Sequence, residues 1–275
     1  MKKQMGYIVA AVLLACCLPN FGYAIELAIH DIQFNTSDGD ASIYNGQIQD
    51  VTGGVVTHIW SGFNDRIYLR DPAHPTWGAI VVKDGEGGEL AGSVSVGDWV
   101  SFQDIYIDEF RGTTFLQYRR SFAPDVSFSV VSSGNAVPAP TTLTVTDLIN
   151  PANHAVTEPY ESMIVTLENV TVGQKDLGKA DDNYELLQGS HTAWGTDYMN
   201  IEAGGPYDPR IVTGIQLTSI TGVVEQYTGD PDWDYYQLNT RFAADIVPEP
   251  ATLWVLTGGI ILACRRRSRS VIVDA

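Results

Sequence analysis

The feature that most limits what this chain can fold into is the rhythm of its interior. Between residues 25 and 247, runs of Val, Ile, Thr, Tyr and Phe alternate with polar residues and stop at Gly, Asp, Asn or Pro. A period of two in β-branched and aromatic residues is the pattern of half-buried strands. No stretch sustains the 3.6-residue period of a helix. The runs predict strands at 54–60, 66–70, 78–83, 99–108 and 113–122. A second set is predicted at 163–172, 183–187, 197–202, 217–227 and 235–243.

The two sets of five can be laid over each other. Each has a first run with Val-Thr (Val56-Thr57; Val170-Thr171), then a run bearing Tyr (Tyr68; Tyr184), and a long fourth run associated with Gly (97–108; 221–225). Ser132 to Pro140 is a linker by composition. Residues 146–150 predict one capped helical turn entering the second unit. Five short strands per unit with long loops predict an all-β region of two small Greek-key barrels of OB type in tandem. Their expected ranges are 25–131 and 143–247, joined by 132–142.

Two resemblances add to this. Ile29-His30-Asp31-Ile32-Gln33, Gly54-Val55-Val56-Thr57, Ile67-Tyr68-Leu69-Arg70-Asp71, Trp77 to Val82 and Val96-Gly97-Asp98-Trp99-Val100 resemble the OB-like domains attached to secreted bacterial nucleases. Glu158 to Val170, Ser219 to Val224 and Gln237 to Val247 continue that likeness. These are mostly turn and core positions, so they imply fold. The catalytic domain that follows such modules in the nucleases is absent before Val247. The last residues, 248–275, resemble the PEP-CTERM sorting signal: Pro248-Glu249-Pro250, an uncharged run from Ala251 to Cys264, then Arg265, Arg266, Arg267 and Arg269. The run is 14 residues long, and a relaxed membrane helix needs about 20. The arginines mark a cytoplasmic end. The resemblance implies a transient stay in the inner membrane, an exosortase as partner, and release to the cell surface or extracellular matrix of a polysaccharide-producing, biofilm-forming bacterium. The other end agrees. Lys2 and Lys3, an apolar core from Tyr7 to Leu18, and Gly22-Tyr23-Ala24 form a secretory signal peptide covering residues 1–24.

Charge and cysteine usage narrow the function. The three cysteines, Cys16, Cys17 and Cys264, all lie in the two end segments, so the exported region holds no disulfide. Processing would remove six of the 16 basic residues and two of the 33 acidic ones, leaving 10 against 31 and a charge near −21. Such a surface repels phosphate backbones. No Gly-x-Ser-x-Gly elbow, phosphate loop or paired metal histidines occur. The chain therefore reads as a binding or matrix protein without catalytic activity, associated with exopolysaccharide. Two alternatives stay open: an OB module acting on extracellular DNA, and a hydrolase using an unrecognised acidic pair. For a ligand, Trp60, Trp77, Trp194 and Trp233 sit beside Gly, Asp or Pro and are expected in loops as stacking faces. Asp230, Asp232 and Asp234 place carboxylates at every second position, as calcium loops do. Tyr235 departs from that pattern where Gly is needed.

These ends generate a prediction. Mass spectrometry of the extracellular fraction should find a protein starting after Ala24 and ending near Pro248–Pro250. An extracellular form still ending at Ala275 would refute processing.

Overall fold

The computed structural model describes residues 26–34, 41–62, 65–149, 152–177, 183–200, 207–230 and 233–250. The expected signal peptide, and the apolar run and arginines of the tail, lie outside them. No helix among the described residues is long and apolar enough to cross a membrane.

The first sheet contains β1 (Leu27–Ala28), β2 (Ile48–Trp60), β3 (Arg66–Arg70), β4 (Ala79–Asp84), β5 (Trp99–Phe110), β6 (Thr113–Tyr118) and β7 (Ser127–Ser132). Their order is β1-β2-β3-β4-β6-β5-β7, and β2 also pairs with β5, so five strands close into a barrel. The second contains β8 (Thr141–Leu143), β9 (Ile164–Lys175), β10 (Tyr184–Gln188), β11 (His191–Thr196), β12 (Gln216–Asp230), β13 (Trp233–Asn239) and β14 (Ile246–Pro248). Its order is β14-β12-β13-β11-β10-β9-β8, closed by β12 on β9. In each barrel the third and fifth strands pair in parallel and the other barrel pairs are antiparallel. Both are OB-like Greek-key barrels.

Each barrel carries a short strand parallel to its first strand and another antiparallel to its fourth. The first of these feeds a tight turn: helix α1 (Ile29–Gln33) in one unit and a 3₁₀ turn, Val145–Leu148, in the other. Asp31 accepts from the Ala28 amide at 3.1 Å and Asp147 from the Thr144 amide at 2.7 Å. The expected capped turn exists, with Thr144 rather than Thr146 as its cap. The segment 152–160 adds a single helical turn, α2 (His154–Thr157), and a 3₁₀ turn, Glu158–Tyr160.

The repeat is real, but its register differs from the sequence overlay. Val56 donates to Asp98 O and accepts from Gly97 N; Val172 donates to Ile215 O and accepts from Gly214 N. Val56 therefore matches Val172, two residues past the expected Val170. Leu69 lies opposite Val56 and Leu186 opposite Val172. Tyr68 thus matches Glu185, not Tyr184. Because successive side chains alternate faces, Tyr68 leaves its barrel while Tyr184 fills the other's core.

The expected strand at 197–202 is also misplaced. The third strand of the second barrel is β11, which ends at Thr196. Its Gly195 hid it from the alternation. That glycine faces Tyr184, and a Cβ there would meet the ring at 2.5 Å. The sixth strand ends at Tyr118, so Arg119 and Arg120 lie in a turn. Pro248 ends β14, one residue past the expected limit of the second unit, opposite Leu217 on the sheet edge, where its missing N–H costs no ladder bond.

Gly53 adopts φ +69° where the β2–β5 register shifts, and a Cβ there would lie 1.6 Å from Val100 O. Gly134 shares the conformation, with φ +70° and nothing within 4 Å. Gly134→Ala should cost about 1–2 kcal/mol from the left-handed backbone alone. Gly53→Ala should cost clearly more, read as the larger drop in urea midpoint. Equal losses would mean that β2 relaxes freely at the bulge.

Candidate ligand-binding cleft

The barrels meet across the outer face of β3, β4 and β6. Tyr68, Val81 and Phe115 pack against Ile164, Met199 and Val223 of the second barrel. At the edge of this apolar patch sits Glu225. Its Oε1 accepts from Arg66 at 2.8 Å, Tyr198 at 2.9 Å and Tyr68 at 3.3 Å; its Oε2 accepts from Gln237 at 3.2 Å and Asn239 at 3.0 Å. Burial, reinforced by the Glu225 charge, pushes both phenols above their ordinary range, so they stay donors.

A second buried seam lies beside it. Thr114 N and Gln33 Nε2 of the first barrel donate to Glu161 Oε1 at 3.1 and 3.2 Å. Tyr236 donates to Glu158. The surrounding acceptors assign the Gln226 amide nitrogen to a position 3.0 Å from Oε2 of both Glu158 and Glu161. The chain continues outward through His154, 2.9 Å from the Tyr236 hydroxyl and 3.0 Å from Asp234. Glu158 and Glu161 form one buried acidic pair, at 6% and 3% exposure, between the barrels; Asp197 and Asp208, at 0% and 5%, form another.

Between the seams a cavity of about 190 Å³ opens to solvent. Its floor is Arg66 and Tyr68 on β3 with Val81 and Lys83 on β4; Phe110 and Arg111 wall one side and Tyr227 on β12 the other. In the first barrel these are the second and third strands and the loop between the fourth and fifth. OB domains bind oligonucleotides and oligosaccharides on that face. The 111–112 loop is fastened to β12 by Thr228 N to Arg111 O at 2.8 Å and Thr113 Oγ1 to Gln226 O at 2.9 Å. The far barrel is thus one wall of the cleft. Lys83 Nζ lies 3.4 Å from the Phe115 ring centroid, and burial together with the nearby Arg66 charge brings its pKa down to about 8.

The cleft wall extends as a row of rings. Tyr227 stacks on Tyr235 at 5.5 Å and 14°, and Tyr235 meets Trp194 at 4.6 Å. Trp194 is half-buried mid-strand in β11, not in a loop. Trp60 is the last residue of β2; it packs on Tyr198 at 5.5 Å and beneath the Arg66 guanidinium at 5.2 Å, inside the inter-barrel contact. Trp77 does lie in a loop. It holds φ +59°, unusual for a bulky residue, and its N–H donates to Pro159 O at 2.7 Å, so it braces the joint between barrels. Trp233 begins β13, paired with Asp230 at the end of β12. The Asp230–Asp234 segment is therefore a strand hairpin; Asp232 lies outside the described residues, and Asp234 is engaged by His154. Among the described residues no group of three or more His, Cys, Asp or Glu side chains could hold a metal ion. Tyr227, Tyr235, Lys83 and Phe110 were not singled out as site residues from sequence; the even spacing of Tyr227 and Tyr235 around the β12–β13 hairpin was the available signal.

No protein-family model and no curated protein matches the sequence. Among solved structures, the chain is similar to the OB domain of MM0293 from Methanosarcina mazei, at 17% identity over 35% of this chain and 84% of that one, with a TM-score of 0.28. It is similar to a murine DNA-binding protein bound with double-stranded DNA, at 11% identity over 74% and 94%, TM-score 0.34. The p204 HINb domain gives 15% identity over 70% and 92%, TM-score 0.34. Scores this low do not bear on function; the barrel assignment rests on strand order.

The buried seam predicts a pH dependence. Burial is the main cause that raises Glu158 to about 7, and burial plus the Glu158 charge holds Glu161 well above the carboxylate range. Unfolded glutamates titrate near 4.3. Between about 4.5 and 7 the folded state binds more protons, so these groups' contribution is lost as pH rises. His58, lowered to about 4 mainly by burial, works in the opposite sense below 6.5. The diagnostic is therefore a difference: Glu158→Gln should gain stability relative to wild type as pH rises from 5 to 7.5. A pH-independent difference in urea midpoint would show that Glu158 titrates normally.

Proposed function

We propose that this chain is an exported binding protein of the cell surface or extracellular matrix. It has no catalytic role of its own, and its tandem barrels hold a segment of exopolysaccharide in the cleft between them. The carrying observation is the cleft itself. Beside the inter-barrel contact, part of the face that OB barrels use for polymers borders a solvent-open cavity, is walled by the second barrel, and is flanked by the Tyr227 and Trp194 rings. Tyr227 and Trp194 are half-buried, with Tyr235 buried between them at 1% exposure; two such rings suit the apolar faces of sugar rings and need no positive charge. Export and sorting follow from the two ends: a signal peptide removed after Ala24, and a tail carrying Pro248, Glu249 and Pro250 presented to an exosortase while the apolar run sits in the inner membrane. The hydrolase alternative loses ground because both acidic pairs, Glu158 with Glu161 and Asp197 with Asp208, are buried.

A second reading rests on the same cleft. Arg66, Lys83 and Arg111 beside Phe110 and Tyr227 also suit a single-stranded nucleic acid, which binds by stacking over a cationic track. Here Arg66 is neutralised by Glu225, and the surrounding charge is strongly negative.

One binding panel separates the two: native exopolysaccharide against single-stranded DNA, at low and moderate salt, with and without calcium. Polysaccharide binding that survives moderate salt is expected. Stacking is worth about 1–3 kcal/mol for a base, so Tyr227→Ala and Trp194→Ala should each weaken binding severalfold while the unfolding transition persists. Salt-sensitive DNA binding without polysaccharide binding would reverse the order of the readings.

A further inference from the structure

Of the ten basic residues between positions 25 and 247, most of those described have an evident partner. Arg66, Arg120, Arg210 and Arg241 form ion pairs with Glu225, Glu86 and Glu89, Asp208 and Asp245. Arg70 and Lys175 donate to backbone carbonyls. Lys83 and Arg119 differ. Neither has a described carboxylate within 4.0 Å; their contacts are rings, Phe115 and Phe110 for Lys83 and Phe122 for Arg119. Between residues 25 and 247 acids outnumber bases 31 to 10, so two such cations are not left over by shortage of carboxylates.

Both face one cavity. It holds about 570 Å³, within the roughly 300–1,000 Å³ of small-molecule sites. It lies beyond the inter-barrel cleft, on the far side of Lys83, which lines both. Its other walls are Asp65, Gln117 and the glycines of the 85–88 loop. That loop is held open from below. The Asp84 carboxylate accepts three backbone N–H groups, from Glu86, Leu90 and Ala91, at 2.8–3.0 Å. Arg120 clamps Glu86 and Glu89 from the side. Gly85 lies flat under the Arg119 side chain, where a Cβ would come within 2.8 Å of it. The shape is thus enforced by bonds that leave Lys83 and Arg119 unused.

We propose that this cavity binds one acidic sugar, a uronic acid residue of the polysaccharide whose neighbouring residues occupy the cleft. This rests on the polysaccharide reading above and adds its chemistry. Lys83 and Arg119 take the carboxylate. Asp65 and Gln117 exchange hydrogen bonds with ring hydroxyls. Among the described residues no aromatic side chain lines this cavity. A bound carboxylate also offsets what depresses the Lys83 ammonium, its burial and the nearby Arg66 charge. Two cations within so acidic a surface suit a polymer that carries its acids sparsely.

The test uses the full-length chain and two disaccharides that differ only in charge: glucuronosyl-β-1,4-glucose and its carboxyl-reduced counterpart, cellobiose. Calorimetric titration should show the uronate bound at least tenfold tighter. Lys83→Met keeps the apolar stem over Phe115, and Arg119→Gln sits in an exposed turn, so both variants should keep the wild-type unfolding midpoint. Each should lose most of the uronate preference, and Arg119→Gln, outside the inter-barrel cleft, should leave cellobiose binding unchanged. Equal affinity of wild type for both sugars would overturn the charge reading and leave the polysaccharide reading standing. Binding of neither, with none to native exopolysaccharide, would overturn both. Oligothymidylate binding that depends on Lys83 and Arg119 would assign the cavity to nucleic acid instead.

Discussion

A carboxylate buried between two folded units costs several kcal/mol unless its lone pairs are filled, and Glu225 is filled from both sides. Arg66 and Tyr68 reach it from the first barrel; Tyr198, Gln237 and Asn239 reach it from the second. The donors lie on three separate elements, β3, the turn after β11 and β13, so the carboxylate is satisfied at one relative placement of the barrels. That placement fixes the distance between Lys83 and Tyr227, and with it the width of the cleft. The apolar patch of Tyr68, Val81, Phe115, Ile164, Met199 and Val223 supplies non-directional attraction. Glu225 supplies the direction. Removing it would leave Arg66 beneath the second barrel without its counter-ion, which is why the tie is worth more as a constraint than as a source of net stability.

The two seams surround their carboxyl groups differently. Glu225 faces five donors, including a guanidinium. Glu161 faces an amide nitrogen, a backbone N–H and another carboxyl, and no cation. There, burial and repulsion favour the neutral acid. One interface thus contains an ion pair, Arg66–Glu225, and a carboxyl pair, Glu158 and Glu161, that responds to pH. The response has a route to solvent, through Tyr236 and His154 to the exposed Asp234. Any change there acts on the 158–161 turn, which directly precedes β9 and receives the Trp77 amide.

Local pattern carried the sequence reading as far as the ten barrel strands, nine of them in place. It stopped where long-range contacts decide. Arg66–Arg70 is bounded by charges and alternates cleanly, so its limits were legible. Ala193-Trp194-Gly195 breaks the alternation because Gly195 yields its space to Tyr184, a partner eleven residues away. The accessory strands β1, β7, β8 and β14 are two to six residues long; strands so short exist by borrowing a barrel edge, and no local period marks them. The tryptophans misled for a related reason. Flanking Gly or Asp marks a strand end as readily as a loop, and Trp60 and Trp233 stand at strand ends. The Arg66–Glu225 tie spans 159 residues of sequence, and among 33 acids nothing local distinguishes Glu225.

The accessory strands also bear on how the proposed processing would finish the ends of residues 25–247. A cut after Ala24 would leave two residues before β1, whose Leu27 pairs with Val51. At the other end β14 holds Val247 and Pro248 against Ser219 and Leu217, and the Glu249 N–H still donates to Gln216 O at 3.0 Å. A protease acting at Pro248 would have to peel β14 from β12 before it could reach the bond. One acting beyond Glu249 meets Pro250, exposed and past the last ladder bond. Proline at 250 offers no N–H to extend the strand, so the ladder stops there by chemistry. The Pro-Glu-Pro motif therefore does two physical jobs at once: its first proline closes the sheet edge, and its second offers no N–H to extend it.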